Sequence, residues 1–152
     1  MLLTKDRLAA VLGVYMAFVF IQSLFYKFSN SAETQHIFGT LDAWAAGFGA
    51  AGLFAPTGLF SQYVIGGAEL VASTLILAGT LAGGLRVLQG VGGIFGTAIM
   101  TGAIGFHLFT PLGVEVQGDG GTLFIMACGV WLSGVALLVM RRADILAVRL
   151  SL

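Results

Sequence analysis

The chain has 152 residues, of which 58% are hydrophobic and only 9% are charged, and its mean hydropathy is +0.99. In a soluble domain about a quarter of the residues are charged, so this composition excludes an ordinary soluble protein and indicates a membrane protein. The formal net charge is zero, and nothing in it indicates nucleic-acid binding.

Four apolar stretches are each long enough to cross a hydrocarbon core, which takes roughly 20 residues. They cover residues 8–27, 62–82, 85–109 and 122–140. Little chain is left over, so the sequence predicts a single transmembrane domain over residues 1–152, an all-α polytopic membrane four-helix bundle. The first stretch is longer than the 7–15 residues of a signal-peptide core, and we interpret it as the first span.

The first outer loop, residues 28–61, is predicted to contain a short interfacial helix. Ser31 can cap a helix that runs to about Leu41. Ile37 and Leu41 share one face of that helix, as in amphipathic segments that lie on a membrane surface. The stretch 42–58 is interrupted by Gly and Pro, which favours an interfacial or re-entrant segment over a fifth span.

Glycine is abundant, at 23 residues. Gly83 and Gly84 form the short turn that makes the second and third spans an antiparallel hairpin. Gly92 and Gly96 form a GxxxG motif, which lets helix backbones approach closely. We favour packing of this motif within the monomer, with a homo-oligomer as the alternative.

Basic residues lie mainly beside one set of span ends. They are Lys5, Arg7, Arg86, Arg141, Arg142 and Arg149. Only Lys27 lies near the other set of ends, where most of the acidic residues gather. Because Lys and Arg are enriched in cytoplasmic loops, this distribution predicts that both termini are cytoplasmic and that two loops are outside.

Lys27, Glu69 and His107 are ionisable residues within or at the ends of these apolar stretches, and they fall in the same, outer half of the bundle. Glu69 lies seven residues into the second span, about 10 Å deep at 1.5 Å per residue. Lys27 ends the first span, and His107 is within one turn of the end of the third. Ionisable groups in a membrane are costly and mark candidate sites, so we take these three as candidate catalytic residues.

Two interpretations of the cluster stay open. A buried carboxylate is stabilised by taking a proton or by a nearby cation, and the stem of Lys27 is long enough to reach Glu69. The pair could bind a ligand or transfer protons, or it could be a buried ion pair that only fixes helix register. His107 could donate a hydrogen bond to a quinone carbonyl, or could simply bond a backbone carbonyl or water. Haem ligation together with His36 is disfavoured, and we assign no metal site.

Three further residues of the outer half are candidates for binding a cofactor: Gln22, Tyr26 and Gln62. Aromatic residues near this boundary fit the aromatic belt of a membrane protein, or alternatively line an entrance for a flat apolar ligand such as a quinone. Cys128 is the only cysteine, so the chain cannot form an intrachain disulfide.

Five short segments resemble, in their order and spacing, the DoxX-like family of small four-helix bacterial membrane proteins. They are FIQSLFYKF (20–28), IFGTL (37–41), GAEL (67–70), FHL (106–108) and EVQGDGG (115–121). The resemblance implies a four-helix bundle in the bacterial inner membrane with both ends in the cytoplasm. Lys27 and Glu69 match the most recognisable polar pair of the family. Relatives include membrane subunits of thiosulfate:quinone oxidoreductase and of membrane-associated oxidoreductase complexes, while others are maturation or trafficking helpers.

These observations favour a subunit of a membrane redox system that handles a quinone or small reductant on the outer side. Glu69 would take or give a proton, Lys27 would tune its pKa and His107 would bond the ligand. The chain could itself be catalytic or be an accessory subunit of a quinone-linked oxidoreductase. The alternatives are a non-enzymatic scaffold or assembly subunit of a larger complex, and a small proton-coupled transporter. The expected partners are the lipid bilayer, subunits of a membrane complex and a second copy of the chain.

Overall fold

The computed structural model describes residues 4–150, and the side chains up to residue 147. Within this range the chain is all-helical, with no strand. The α-helices are α1 (Lys5–Phe28), α2 (Ala32–Ala46), α3 (Gln62–Leu81), α4 (Arg86–Phe109) and α5 (Thr122–Leu150), with a 3₁₀ turn at Gly83–Leu85 between α3 and α4. The predicted all-α class is confirmed. The side chain of Arg149, counted above among the basic residues, lies outside the described part.

Helices α1, α3, α4 and α5 are long and apolar enough to cross a membrane, which indicates a multi-pass integral membrane protein. The predicted spans coincide with these helices except at two ends. α1 begins at Lys5 because the side chain of Thr4 caps it by accepting a hydrogen bond from the Arg7 amide. α5 continues to Leu150, ten residues beyond the predicted span, because its polar residue Arg141 is buried against the bundle.

The four long helices pack in a ring. α1 contacts α3 and α5, and α4 contacts the same two helices, so that α1 and α4 lie diagonally opposite. Fully buried apolar side chains at the centre include Met16, Phe20, Ile76, Val130 and Leu137. A cavity, described below, lies at the end of the bundle where α1 ends and α3 begins. We call this end the cavity end and the opposite end the far end.

Glycine residues allow close contact between the helices of this ring. A Cβ atom on Gly92 would lie 2.6 Å from Ile76 Cγ1 and 2.9 Å from the Ala72 carbonyl oxygen on α3, and one on Gly96 would lie 2.7 Å from Met16 Cε on α1. All three distances are shorter than real Cβ contacts. The GxxxG motif therefore packs against helices of the same chain, as favoured from the sequence.

Helix α2 forms a second, smaller core at the cavity end. Ser31 caps it, accepting a hydrogen bond from the Thr34 amide at 3.2 Å. The helix runs to Ala46, beyond the predicted end at Leu41, because Leu41 and Ala45 are buried together with Phe54, Leu112 and Val116. The residues after α2 form turns rather than a further helix. This core joins α2 to the α4–α5 loop and closes the cavity end of the bundle.

A buried polar network joins four helices at the far end. Arg141 on α5 donates to Gln89 Oε1 at 2.7 Å and to Asp6 Oδ1 at 2.7 Å. The Gln89 amide nitrogen in turn donates to the Ala9 carbonyl at 3.0 Å and to Thr80 Oγ1 at 2.8 Å. Arg141 is thus a buried structural residue as well as one of the basic residues beside the spans.

We predict that Gly79→Ala destabilises the bundle, whereas Gly67→Ala on the same helix does not. A Cβ on Gly79 would collide with the backbone nitrogen of Gln89, and one on Gly67 would have no neighbour within 4 Å. Overpacking of this kind costs about 1–3 kcal/mol, and alanine at the open position favours the helix. Thermal unfolding in detergent should give a lower Tm for Gly79→Ala alone. Equal Tm values for the two variants would contradict the close α3–α4 contact.

Candidate functional site

A cavity of about 690 Å³ lies at the cavity end of the bundle, and side chains from all five helices line it. Its volume is in the range of small-molecule sites, roughly 300–1,000 Å³. Lys27, Glu69 and His107 all line it, although they come from α1, α3 and α4. The structure therefore brings the three candidate residues to one space.

Lys27 and Glu69 form a buried ion pair. Lys27 Nζ lies 3.1 Å from Glu69 Oε1, and the two side chains are 14% and 3% exposed. Lys27 Nζ also donates to Ser23 Oγ, one turn earlier on the same helix. The sequence left open whether Lys27 and Glu69 touch, and the structure shows that they do.

The residues around Lys27 on α1 and Glu69 on α3 allow the two side chains to meet. Glu69 lies on the inward face of α3, in line with the buried residues Gly66 and Ser73. A Cβ on Gly66 would be 3.2 Å from the ring of Phe28 and 3.5 Å from Lys27 Cδ. The absence of a side chain at Gly66 thus lets the Phe28 ring pack closely against α3, next to the Lys27 stem.

The second oxygen of the Glu69 carboxylate has no partner. Oε2 is buried, and it is the one buried side-chain polar atom of the described residues that makes no hydrogen bond. Buried polar groups are nearly always hydrogen-bonded, so an exception calls for a specific explanation such as a missing ligand or ion. Because Glu69 lines the cavity, an unpaired oxygen on this side chain is consistent with a ligand-binding role.

His107 lies in the last turn of α4 and is 8% exposed. Its Nδ1 atom is 2.6 Å from the carbonyl oxygen of Gly113 in the α4–α5 loop. Because a carbonyl can only accept, Nδ1 bears the proton, and in the neutral ring Nε2 is left with a lone pair. The ring packs edge-on against Phe124 of α5, with centroids 5.7 Å apart, so its orientation is fixed on two sides.

Asp119 lines the cavity and fixes the conformation of the α4–α5 loop. Its Oδ1 accepts hydrogen bonds from the amides of Val116 and Gly121 at 2.8 and 2.9 Å, and its Oδ2 accepts from Leu123 at 2.9 Å. The bond from Leu123, helped by the other two amides, outweighs desolvation and holds the pKa of Asp119 below its ordinary value of 3.8. The carboxylate is therefore ionised at neutral pH and fixes the start of α5.

The rest of the wall is mainly apolar. Representative side chains are Phe20, Ile65, Ile99, Phe106 and Met126. An apolar wall with a few placed polar groups is the usual composition of a site for a small amphipathic molecule.

Only two of the three predicted cofactor-binding residues lie on the cavity wall. Gln22 and Tyr26 line the cavity, and Gln62 does not. The amide of Gln62 instead donates to the Lys27 carbonyl at 2.9 Å and to Asn30 Oδ1 at 3.0 Å, so it joins the start of α3 to the end of α1. His36 is exposed on α2 and is not part of the wall.

Sequence reasoning did not assign five polar residues of the wall to the site: Ser23, Glu33, Thr34, Asp119 and Thr122. Ser23 could have been found, since residues four apart share a helix face and Ser23 precedes Lys27 by four. Glu33 and Thr34 reach the wall only because α2 folds back over the bundle. No periodicity in the sequence indicates that α2 packs over the bundle in this way.

No protein-family model matches this chain, and no curated protein or solved structure does so either. Within the described residues, no group of three or more His, Cys, Asp or Glu side chains could hold a metal ion.

We predict that Lys27→Met is strongly destabilising and that adding Glu69→Leu restores much of the loss. Removing one partner of a buried pair leaves an uncompensated charge and costs about 3–5 kcal/mol, whereas an apolar replacement of both is often tolerated. The measurement is Tm in detergent for the single and double variants. Lys5→Met, at the exposed start of α1, is the control and should change little. A double variant no more stable than Lys27→Met would show that the two residues are not energetically coupled.

We predict that the stabilising effect of Asp119 depends on pH. A carboxyl group whose pKa is lower in the folded state contributes stability above its unfolded pKa and loses it as the pH falls through the folded value. Asp119→Asn should therefore lower Tm at pH 7, and the difference from the wild type should vanish as the pH falls below about 3.8. Glu115→Gln, an exposed change in the same loop, is the control. A difference in Tm that is constant with pH would contradict this assignment.

Proposed function

We propose that this protein is a membrane subunit of a redox system and binds a quinone or small reductant in the cavity between Lys27, Glu69 and His107. The observation that supports this most directly is the buried Glu69 carboxylate, which is paired on one oxygen, free on the other, and placed on the wall of an apolar cavity. The resemblance to the DoxX-like family favours the same redox context.

The cavity supplies the groups that such a ligand needs. A quinone has a flat polar head and an apolar body, and the wall offers aromatic and aliphatic side chains beside a few polar atoms. Glu69 is placed to exchange a proton with a ligand hydroxyl, while the ammonium group of Lys27 at 3.1 Å stabilises the carboxylate form. His107 holds its ring in place through Gly113 and leaves Nε2 for the ligand. Electrons would pass to or from a partner subunit of the complex.

The distribution of charge supports an orientation with both termini in the cytoplasm of a bacterial inner membrane. The basic residues Lys5, Arg7, Arg86 and Arg141 belong to the far end of the bundle, and the cavity lies at the opposite end. By the positive-inside rule the far end is cytoplasmic. The cavity would then face the outer side, with α2 at the outer membrane interface.

A scaffold or assembly subunit is the alternative, favoured by the two buried polar clusters that fix helix register. The ion pair of Lys27 with Glu69 joins α1 to α3, and the Arg141 network joins the helices at the far end. The transporter hypothesis has no comparable support. A transporter path between two copies of the chain would use a dimer face at Gly92 and Gly96, and these glycines pack against the chain's own helices.

We predict that protein purified from native membranes in mild detergent retains a quinone in its oxidised or reduced form, and that Glu69→Gln lowers the total amount at least about tenfold. The carboxylate accepts a hydrogen bond from a hydroxyl group of the reduced form, and the loss of a hydrogen bond to a charged group costs about 1.5–3 kcal/mol, which corresponds to tenfold or more. Bound quinone is measured by extraction and mass spectrometry, and folding is checked by Tm and gel filtration. Glu115→Gln, outside the wall, should retain the wild-type amount.

Two results would contradict the proposed function. One is wild-type protein that retains no quinone and takes up none when it is supplied. The other is a folded Glu69→Gln protein that retains as much quinone as the wild type. Stable co-purification of partner subunits without any bound small molecule would favour the scaffold alternative.

A further inference from the structure

The ionisable residues of the cavity wall have an excess of negative charge. Glu33, Glu69 and Asp119 line the cavity, and Lys27 is the one lysine or arginine among the lining residues. A cavity wall with three carboxylates and one ammonium group disfavours anions because like charges repel. Its ligand is therefore expected to be neutral or cationic.

Within the part of the chain that the structure describes, two buried side chains of the cavity wall, Glu69 and His107, have an acceptor atom without a protein partner. In the ion pair, Oε1 of Glu69 accepts from Lys27, and Oε2 has no partner among the described residues. His107 uses its Nδ1 proton on the Gly113 carbonyl, so Nε2 of the neutral ring can only accept. A ligand that satisfies both atoms must donate two hydrogen bonds.

The donors of Lys27, the residue paired with Glu69, are largely committed to protein atoms, whereas Gln22 and Tyr26 on the wall can still donate. Two of the three protons of the Lys27 ammonium group are directed to Ser23 and Glu69, which leaves one. Leaving a buried acceptor unsatisfied costs about 1–3 kcal/mol, more for a charged group. A ligand that only accepts would bond the remaining Lys27 proton but would leave Glu69 Oε2 and His107 Nε2 unpaired.

We infer that the cavity binds the hydroxyl-bearing, reduced form of its ligand, a quinol or a related dihydroxy compound with an apolar body, in preference to the quinone. The unpartnered, buried Glu69 Oε2 and the lone pair of His107 Nε2 are the two acceptors for its hydroxyl groups. This inference rests on the proposed function and specifies which chemical class that site selects. It concerns binding and requires no electron transfer in the isolated protein.

The test compares three ligands that share one apolar body: decyl-hydroquinone, its dimethyl ether and the corresponding decyl-quinone. The ether has the same ring and chain but no hydroxyl donors. Affinities are measured under anaerobic conditions by equilibrium dialysis of the detergent-solubilised full-length protein. We expect the hydroquinone to bind at least about tenfold more tightly than either the ether or the quinone, the effect of one bond to a charged acceptor.

Variants of Glu69 and His107 test whether these residues cause the preference for the hydroquinone. In Glu69→Gln an amide group replaces the carboxylate and removes an acceptor, so the preference for the hydroquinone over its ether should fall to within about threefold. Glu115→Gln, outside the cavity, should keep the full preference. His107→Gln provides a second measurement if Glu69→Gln does not fold, and it should also reduce the preference.

The outcomes separate the inference from the proposed function. Binding of the quinone or the ether as tightly as the hydroquinone would overturn the inference and leave the proposed function standing. Binding of none of the three would overturn both. A preference unchanged in folded Glu69→Gln and His107→Gln would also overturn the inference, because it would assign the selectivity to other groups.

Discussion

The burial of the Glu69 carboxylate in an apolar helix bundle is the constraint on which the cavity end depends. An ionised carboxylate removed from water must be compensated, and loss of its partner costs about 3–5 kcal/mol. Lys27 provides that compensation from the end of α1, which fixes the register of α1 against α3. The lack of a side chain at Gly66 lets the Phe28 ring pack closely against α3, and the Gln62 amide bonds the Lys27 carbonyl. Both features hold the end of α1 against α3.

The two buried charged clusters differ in how completely they are satisfied. At the far end, the guanidinium of Arg141 is matched by Gln89 and Asp6, and none of its buried nitrogens lacks a partner. At the cavity end, one oxygen of Glu69 is left without a partner, beside about 690 Å³ of space. A purely structural network gains nothing from an unsatisfied oxygen, whereas a binding site requires one. This contrast favours a ligand-binding role for Glu69 over a role in register alone.

The sequence predicted the helices well and the site only in part. Long apolar runs specify α1, α3, α4 and α5, and Ser31 marks the start of α2, because these signals are local. The depth of Glu69 and the position of Lys27 were sufficient to suggest their proximity. The cavity was not predictable, since it depends on α2 and the α4–α5 loop folding over the bundle. Burial of Arg141 was missed for a related reason: its partner Asp6 is 135 residues away in the sequence.

The most direct test of a ligand site at Glu69 is an experimental structure, at a resolution that shows ordered small molecules, of protein purified with native lipid. The account predicts elongated density within the cavity, with a polar end within hydrogen-bonding distance of Glu69 Oε2 and its apolar part against side chains such as Phe106 and Met126. A cavity closed by its own side chains, with Oε2 bonded to protein atoms, would contradict it and would favour a scaffold.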